Sequence, residues 1–457
     1  MESTFEGRGL GTKGPETRET NVHDRGAQSP EAQGPLSSRY DALDALRGFA
    51  VLGIFIMTIA ALGLPEIAYS NPLIAGGDGS INHGLWGVAE VLVHGSMRGL
   101  FSVMFGAGVI LFTAKALAPD RPIRITGLYY RRMMWLAVIG FAHAVILLMP
   151  DDILLIYGLA GLILFPFRML SPRILLGIAA VLLIALVAQA TTQEFEKIAL
   201  REQAAPIEAR AEAGTPITPA EEEVLDQWQR VTAVYRPPQD VFDQQIAERT
   251  GPPVPLFISN AKTVARYLTT FDEMCWWILD ALTMMFLGMA LYKWRVITAE
   301  RSLKFYATLA AIGYSIGISF RTGSVLSSFE AQFMLTHWVW NGFDQISRFA
   351  MTLGHIGLFF VLWKAISTSL IMRALTATGR MALTNYISQS VIANLIFSGI
   401  GLGLYGSIER AEMYAIMVAF WVFQLAFSMW WLARFRFGPL EWGWRSLTYW
   451  RWQPLRK

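Results

Sequence analysis

Long apolar stretches alternate with short polar ones along most of this chain of 457 residues. A bilayer core of roughly 30 Å is crossed by about 20 mostly apolar helical residues. Ten stretches approach that length, at approximately 46–65, 96–116, 129–149, 152–169, 173–190, 273–292, 303–320, 346–366, 381–403 and 412–432. The pattern predicts an all-α fold, a polytopic integral membrane helix bundle with about ten transmembrane helices. Two regions interrupt it. Residues 1–38 are rich in Gly, Glu, Arg, Thr and Pro without an apolar period, and read as a disordered cytoplasmic tail. The first apolar run, from Gly48, is not followed by a small-residue cleavage site and reads as a retained span. Residues 191–271 read as a small helical extracytoplasmic insertion of two or three polar helices. Within it, Thr218-Pro219-Ala220-Glu221 has the order of a helix start, a cap, a first-turn proline and a first-turn acid. Gly251-Pro252-Pro253-Val254-Pro255 then breaks the run. A loosely ordered connector is the alternative for this segment. The chain divides into residues 39–190 with five helices, the insertion, and residues 272–457 with five more.

Composition agrees: 54% of residues are hydrophobic, 13% aromatic and only 16% charged, and the mean hydropathy is +0.39. These values exclude an ordinary soluble protein. A net charge of +3 is too small to suggest a nucleic-acid surface, so the expected partners are the lipid bilayer, small molecules, and copies of the chain in a homo-oligomer. The single cysteine, Cys275, excludes an internal disulfide and a CxxC zinc site, and no metal is expected. Lys and Arg near span ends are retained in the cytoplasm. With the N-terminus inside, the inner ends collect residues such as Arg47, Arg131, Arg132, Lys293, Arg380 and Arg434. The short outer connections hold only Arg98, Arg321, Arg348 and Arg410. Both termini are therefore expected in the cytoplasm, with an even number of spans.

Polar groups at membrane depth cost a few kcal/mol or more and call for a partner or a function. Asp44 and Arg47 stand at i, i+3 where the first span begins, as an interfacial anchor or a binding pair. His143 lies inside the third span, and Asp151-Asp152 opens the fourth after a tight turn at Met149-Pro150. One of these carboxylates can hold the imidazole as a general base, or can simply cap the fourth helix. His83, close to Trp86, lies between the first and second spans. Asp280 is an acid inside an apolar run, with Arg98, Arg321 or Arg348 as its candidate partner. Asn385, Gln389 and Asn394 line a polar path or bind helix to helix. Gly95/Gly99, Gly313/Gly317 and Gly399/Gly403 are small-xxx-small pairs that report close helix packing. No P-loop, HExxH, GxSxG or dinucleotide fingerprint is present.

Several motifs then carry a resemblance. Leu43-Asp44-Ala45-Leu46-Arg47-Gly48, the run Arg98-Gly99-Leu100-Phe101-Ser102 through Phe105-Gly106-Ala107-Gly108, and Gly140-Phe141-Ala142-His143-Ala144 with Asp152-Ile153-Leu154 and Tyr157 come first. Gly379-Arg380-Met381-Ala382-Leu383-Thr384-Asn385-Tyr386 with Gln389, and Phe437-Gly438-Pro439-Leu440-Glu441-Trp442 with Trp444-Arg445, follow. Over roughly residues 39–455 they resemble the YeiB-like family of bacterial inner-membrane proteins, including its C-terminal domain of unknown function 418. The family's N-terminal half is similar to transmembrane acyltransferases of the heparan-α-glucosaminide N-acetyltransferase type. That resemblance implies transfer of an acyl group from cytosolic acyl-CoA to a hydroxyl or amine on a small-molecule, glycan or lipid acceptor at the periplasmic face. It implies His143 and Asp152, or His83, as catalytic groups, with Glu90 loosely matching the relatives' acid. Asp44, Arg47, Arg98, Asp280, Asn385 and Gln389 are the expected substrate or donor contacts, and Arg131 and Arg132 are further candidates for the donor phosphates. The competing expectation is a transporter or lipid-handling protein in which His143, Asp152 and Asp280 line a path through the bundle.

Overall fold

The computed structural model describes residues 35–114, 122–334 and 338–457, and most of the expected tail lies outside them. Among the described residues the chain is helical, and its β structure is one isolated bridge between Phe435 and Arg456. The first half comprises α1 (Pro35–Gly63), α2 (Glu66–Ser70), α3 (Ser80–Leu92), α4 (Ser96–Ala114), α5 (Pro122–Ile146), α6 (Ile153–Leu164) and α7 (Pro172–Glu212). The insertion adds α8 (Pro219–Tyr235), α9 (Gln239–Thr250) and α10 (Pro253–Thr269). The second half holds α11 (Phe271–Lys293), α12 (Leu303–Glu330), α13 (Trp338–Gly342), α14 (Asp344–Ile366), α15 (Leu370–Arg380), α16 (Ala382–Phe397), α17 (Arg410–Arg434) and α18 (Pro439–Tyr449).

Among the described residues, seven stretches are long and apolar enough to cross a membrane: residues 41–63, α3 with α4, α7, α11, α12, α14 and α17. The other three expected spans also fold as helices. One lies in α5, which carries Arg131 and Arg132, one in the shorter α16, and one in α6, continued by a 3-10 turn Phe165–Met169. The fold is an all-α membrane helix bundle. α7 departs from the expected boundary at residue 190 by running straight through it. Its 41 residues extend about 60 Å, twice a bilayer core, so its second half stands out as a stalk for the insertion.

Helix starts follow side-chain chemistry. Asp152, Ser171, Thr218, Ser302 and Ser369 each accept a hydrogen bond from an amide of the first turn that follows. Thr218 forms the capping box expected from its sequence, with Glu221 as the reciprocal partner. The break expected at Gly251 separates α9 from α10.

Close packing depends on missing side chains. α4 and α11 meet at two reciprocal glycines: a Cβ on Gly106 would stand 2.0 Å from the carbonyl oxygen of Met285, and one on Gly288 would stand 2.0 Å from that of Val103. Gly313 and Gly317 bring α12 against α14 in the same way, whereas Gly403 faces open space.

The two ends of the bundle differ. At one end, Glu441 of α18 accepts the amide hydrogens of Leu383 (2.7 Å) and Thr384 (3.0 Å) at the start of α16. Trp444 Nε1 donates to the Arg132 carbonyl of α5 (3.0 Å), and the backbone of Asp44 abuts Gly379. The start of α1 and helix α18 therefore lie at the same end of the bundle. At the other end the insertion folds over the bundle. Asn260 donates to the carbonyls of Ala144 (3.0 Å) and Val145 (3.1 Å), and Arg249 donates to that of Leu148 (2.9 Å). Carbonyls in the last turn of a helix have no partner within it, and α9 and α10 supply partners for α5.

Two outcomes follow. Gly288→Val should lower the thermal unfolding temperature in detergent by the equivalent of about 1–3 kcal/mol of overpacking, while Gly443→Ala, where a Cβ meets nothing within 4 Å, should leave it unchanged. The Glu221 carboxyl is held at about 2, below its ordinary 4.5, by the Thr218 amide, by Arg210 and by the Thr218 hydroxyl. A depressed carboxyl stabilises above its unfolded value and stops doing so as pH falls through its folded one. Hydrogen-exchange protection in the first turn of α8 should therefore fall between pH 4.5 and 2, and Glu221→Gln should remove that dependence.

Candidate functional site

The insertion roofs a cavity of about 740 Å³ whose walls come from α1, α4, α9, α10, α11, α14 and α16. An adjoining pocket of about 40 Å³ reaches down to Asp152 and Tyr157. On the wall between α4, α11 and α14, Asp280 pairs with two arginines. Its Oδ2 lies 3.2 Å from Arg98 Nη2, and its Oδ1 bonds Arg348, which also bonds Gln345. The Asp280 and Arg348 side chains are 6% and 5% exposed, so both charges have left bulk water. One carboxylate between two guanidiniums leaves this cluster one positive charge in excess. The Nε atoms of both arginines are buried and have no hydrogen-bond partner. Arg98 also stacks over Trp277, 4.3 Å from the ring centre. Its backbone is anchored by Tyr157, whose hydroxyl donates to the Arg98 carbonyl (3.1 Å) and bonds Ser102 Oγ (2.5 Å). Sequence alone left three candidate partners for Asp280; Arg98 and Arg348 share it, while Arg321 pairs with Asp344 (3.5 Å).

His143 and Asp152 meet across the α5–α6 turn, Nδ1 to Oδ1 at 2.8 Å. Asp152 Oδ2 simultaneously accepts the amides of Leu154 and Leu155, so the capping and histidine-holding readings hold together. Tyr386 of α16 donates to Oδ1 as well (2.9 Å). In the neutral imidazole, a carboxylate accepting at Oδ1 places the proton on Nδ1 and leaves a lone pair on Nε2. That Nε2 is buried and unpartnered. His143 itself does not line the cavity, whereas Tyr386 does.

Other expected site residues lie elsewhere. His83 packs against Phe329 of α12 and is absent from the cavity wall. Asp44 and Arg47 bond each other (2.6 Å) at the opposite end of the bundle. Arg131 donates to the Thr448 carbonyl (3.1 Å) and Arg132 stacks on Trp444 (3.6 Å), so both are engaged by α18. Asn385 donates to Thr378 and Ser428, and Gln389 to Val51 and Gln424, binding α16 to its neighbours.

The cavity wall carries further titratable groups. His94 lines it and bonds Glu90 one turn earlier, a pairing that the i, i+4 spacing could have signalled. Asp151 faces the cavity as well. The surrounding protein raises its carboxyl above the ordinary range, Asp152 and Glu66 add to this, and Arg98 opposes it. Burial likewise pushes Tyr267 and Tyr405 on the cavity wall up to about 12.

Removing Asp280 strands two guanidiniums. Asp280→Ala should destabilise the protein by about 3–5 kcal/mol, as for one partner taken from a buried pair. Asp280→Leu combined with Arg348→Met should recover most of that loss in a thermal unfolding assay.

Comparison with known proteins places the chain among relatives whose names assign no activity. Residues 291–451 match the family model described as a protein of unknown function (DUF418). The uncharacterized protein YeiB of Escherichia coli (strain K12) is 26% identical over 422 residues, 89% of this chain and 95% of its own. The uncharacterized protein YxaH of Bacillus subtilis (strain 168) is 28% identical over 432 residues, 92% of this chain and 97% of its own. An uncharacterized 39.9 kDa protein of Bacillus acidopullulyticus is 27% identical over 417 residues, 91% and 95%. No solved structure matches. With that domain matched in its second half and relatives aligned along nearly all of its length, this membrane protein is similar to the YeiB-like DUF418 proteins.

Proposed function

We propose that this protein is a lipid-handling membrane protein that takes an amphiphile with an anionic headgroup into the cavity beneath the insertion. The observation that carries this is the Arg98–Asp280–Arg348 cluster on the cavity wall, two guanidiniums answered by one carboxylate. Guanidinium pairs match the geometry of phosphate and carboxylate oxygens, and their attraction is stronger where water is excluded. Apolar side chains of Ile54, Met57, Leu62 and Trp276 line the same cavity and suit the upper part of an acyl chain. The basic residues near the α18 end support a cytoplasmic location for that end in a bacterial inner membrane. The cavity then belongs to the extracytoplasmic side.

A second reading, acyl transfer from acyl-CoA, is favoured by one specific feature. His143 Nε2 has a free lone pair, and its ring is held by Asp152, to which the cavity-wall residue Tyr386 also bonds. In this reading Nε2 takes the proton of an acceptor hydroxyl or amine as that oxygen or nitrogen attacks the thioester carbonyl carbon. The carbon–sulfur bond breaks, and the departing thiolate takes the proton back from the imidazole. The acyl-CoA donor would approach from the Arg47 end.

Purified protein should bind dihexanoylphosphatidylglycerol in preference to uncharged dihexanoylglycerol, as read by quenching of tryptophan fluorescence. Arg98→Gln, which leaves the Asp280–Arg348 pair intact, should weaken that binding about tenfold. Equal binding of the two lipids by wild type would remove the first reading. For the second, radiolabelled acetyl- and palmitoyl-CoA should lose label to an acceptor in membranes containing the wild type. His143→Ala should abolish the loss and His83→Ala should spare it. An absence of transfer at every chain length would eliminate acyl transfer and leave the cavity reading in place.

A further inference from the structure

The cavity has a second pole. It is formed by Asp151, in the α5–α6 turn, and Glu66, the first residue of α2. Both line the cavity, and the two carboxylates sense each other electrostatically. Asp151 accepts a hydrogen bond from its own backbone amide, and among the described residues neither carboxylate has a cation within ion-pair distance. Four tyrosines, Tyr69, Tyr267, Tyr386 and Tyr405, line the same cavity. Tyr69, Tyr267 and Tyr386 are within electrostatic reach of Asp151, and Tyr267 and Tyr405 within reach of Glu66. Carboxylates framed by aromatic faces are the chemistry that receives an ammonium group.

Two acids alone would carry no such conclusion. The independent observation lies on the arginine wall, where Arg348, only 4% exposed, has a buried Nε without a partner beside Arg98, whose Nε is likewise unpartnered. That wall asks for an anion. The two poles are adjacent. They share both the large cavity and, through Arg98 and Asp151, the small pocket below it. A ligand that satisfies both must carry an anion and a cation joined by a short linker.

Resting on the reading of the cavity as an anion site, we infer that its ligand is an aminoalkyl phosphate. The phosphate lies on Arg98 and Arg348, and the ammonium lies between Asp151 and Glu66 within the tyrosine ring. The same chemistry is present in a phosphatidylethanolamine headgroup and in free phosphoethanolamine. A lipid would also use the apolar wall formed by Ile54, Met57 and Trp276.

The test uses the full-length protein in detergent with four probes: dihexanoylphosphatidylethanolamine, dihexanoylphosphatidylglycerol, dihexanoylglycerol and free phosphoethanolamine. The ethanolamine lipid should bind about tenfold tighter than the glycerol phospholipid, the scale of one hydrogen-bonded charge contact. Asp151→Asn and, separately, Glu66→Gln at an exposed position should each reduce that preference toward parity while leaving affinity for dihexanoylphosphatidylglycerol little changed. Tighter binding of the ethanolamine lipid than of phosphoethanolamine identifies a lipid as the source of the headgroup, and comparable binding identifies the soluble compound; either supports the ligand class. Equal affinity of wild type for the two phospholipids, or a preference that survives both substitutions, overturns the inference and spares the anion site. Should neither phospholipid bind better than dihexanoylglycerol, both the anion site and this inference fall.

Discussion

A charge inside a membrane bundle must be answered by another charge or by a hydrogen bond, and much of this structure is arranged around that requirement. The four arginines expected in the short outer connections do not project into loops. Arg98 and Arg348 share Asp280, and Arg321 meets Ser347, Asp344 and two carbonyls of the α3–α4 segment. Arg410, the largest fully buried side chain, bonds the Ala68 carbonyl. Each ties together helices distant in sequence. The reciprocal glycines of α4 and α11 hold two of those helices close enough for Arg98 and Asp280 to pair.

Where neutral polar groups are buried, they close the bundle. Gln424 of α17 donates to the Asn385 carbonyl and to Ser388, and accepts from Gln389, so one amide network holds α16 and α17 together, and the Gln389 bond to Val51 extends it to α1. The insertion acts in the same manner at the open end. Its Asn260 and Arg249 complete the backbone of α5 and the turn after it, and that placement also sets α9 and α10 as the roof of the cavity. Enclosure follows from hydrogen-bond completion.

The cavity combines what such enclosure leaves over. One wall has an excess of positive charge, another has two unanswered carboxylates, and apolar and aromatic side chains lie between them. His143 stands just outside, held through Asp152, with Tyr386 as its link to the space. The binding of an amphiphile and any chemistry upon it would therefore occupy adjacent but distinct places.

Much of this was legible in one dimension. Apolar runs long enough for a bilayer become helices because lipid leaves the backbone no other partner, and the Thr218 start and the Gly251 break follow from local capping and proline geometry. The tight turn at Met149-Pro150 was enough to bring Asp152 to His143, since adjacent helices in a short hairpin must touch. Contacts between distant segments were not legible. Sequence presented Asp280 with three candidate arginines, associated His83 with a site it does not join, and left Asp151 and Glu66 unremarked as a pair. Those outcomes depend on which helices become neighbours and how they are rotated, and packing across the whole bundle decides both. Local chemistry in the chain determined the helices and their ends; the tertiary fold decided which charges meet, because a buried ion finds its partner in space and not along the backbone.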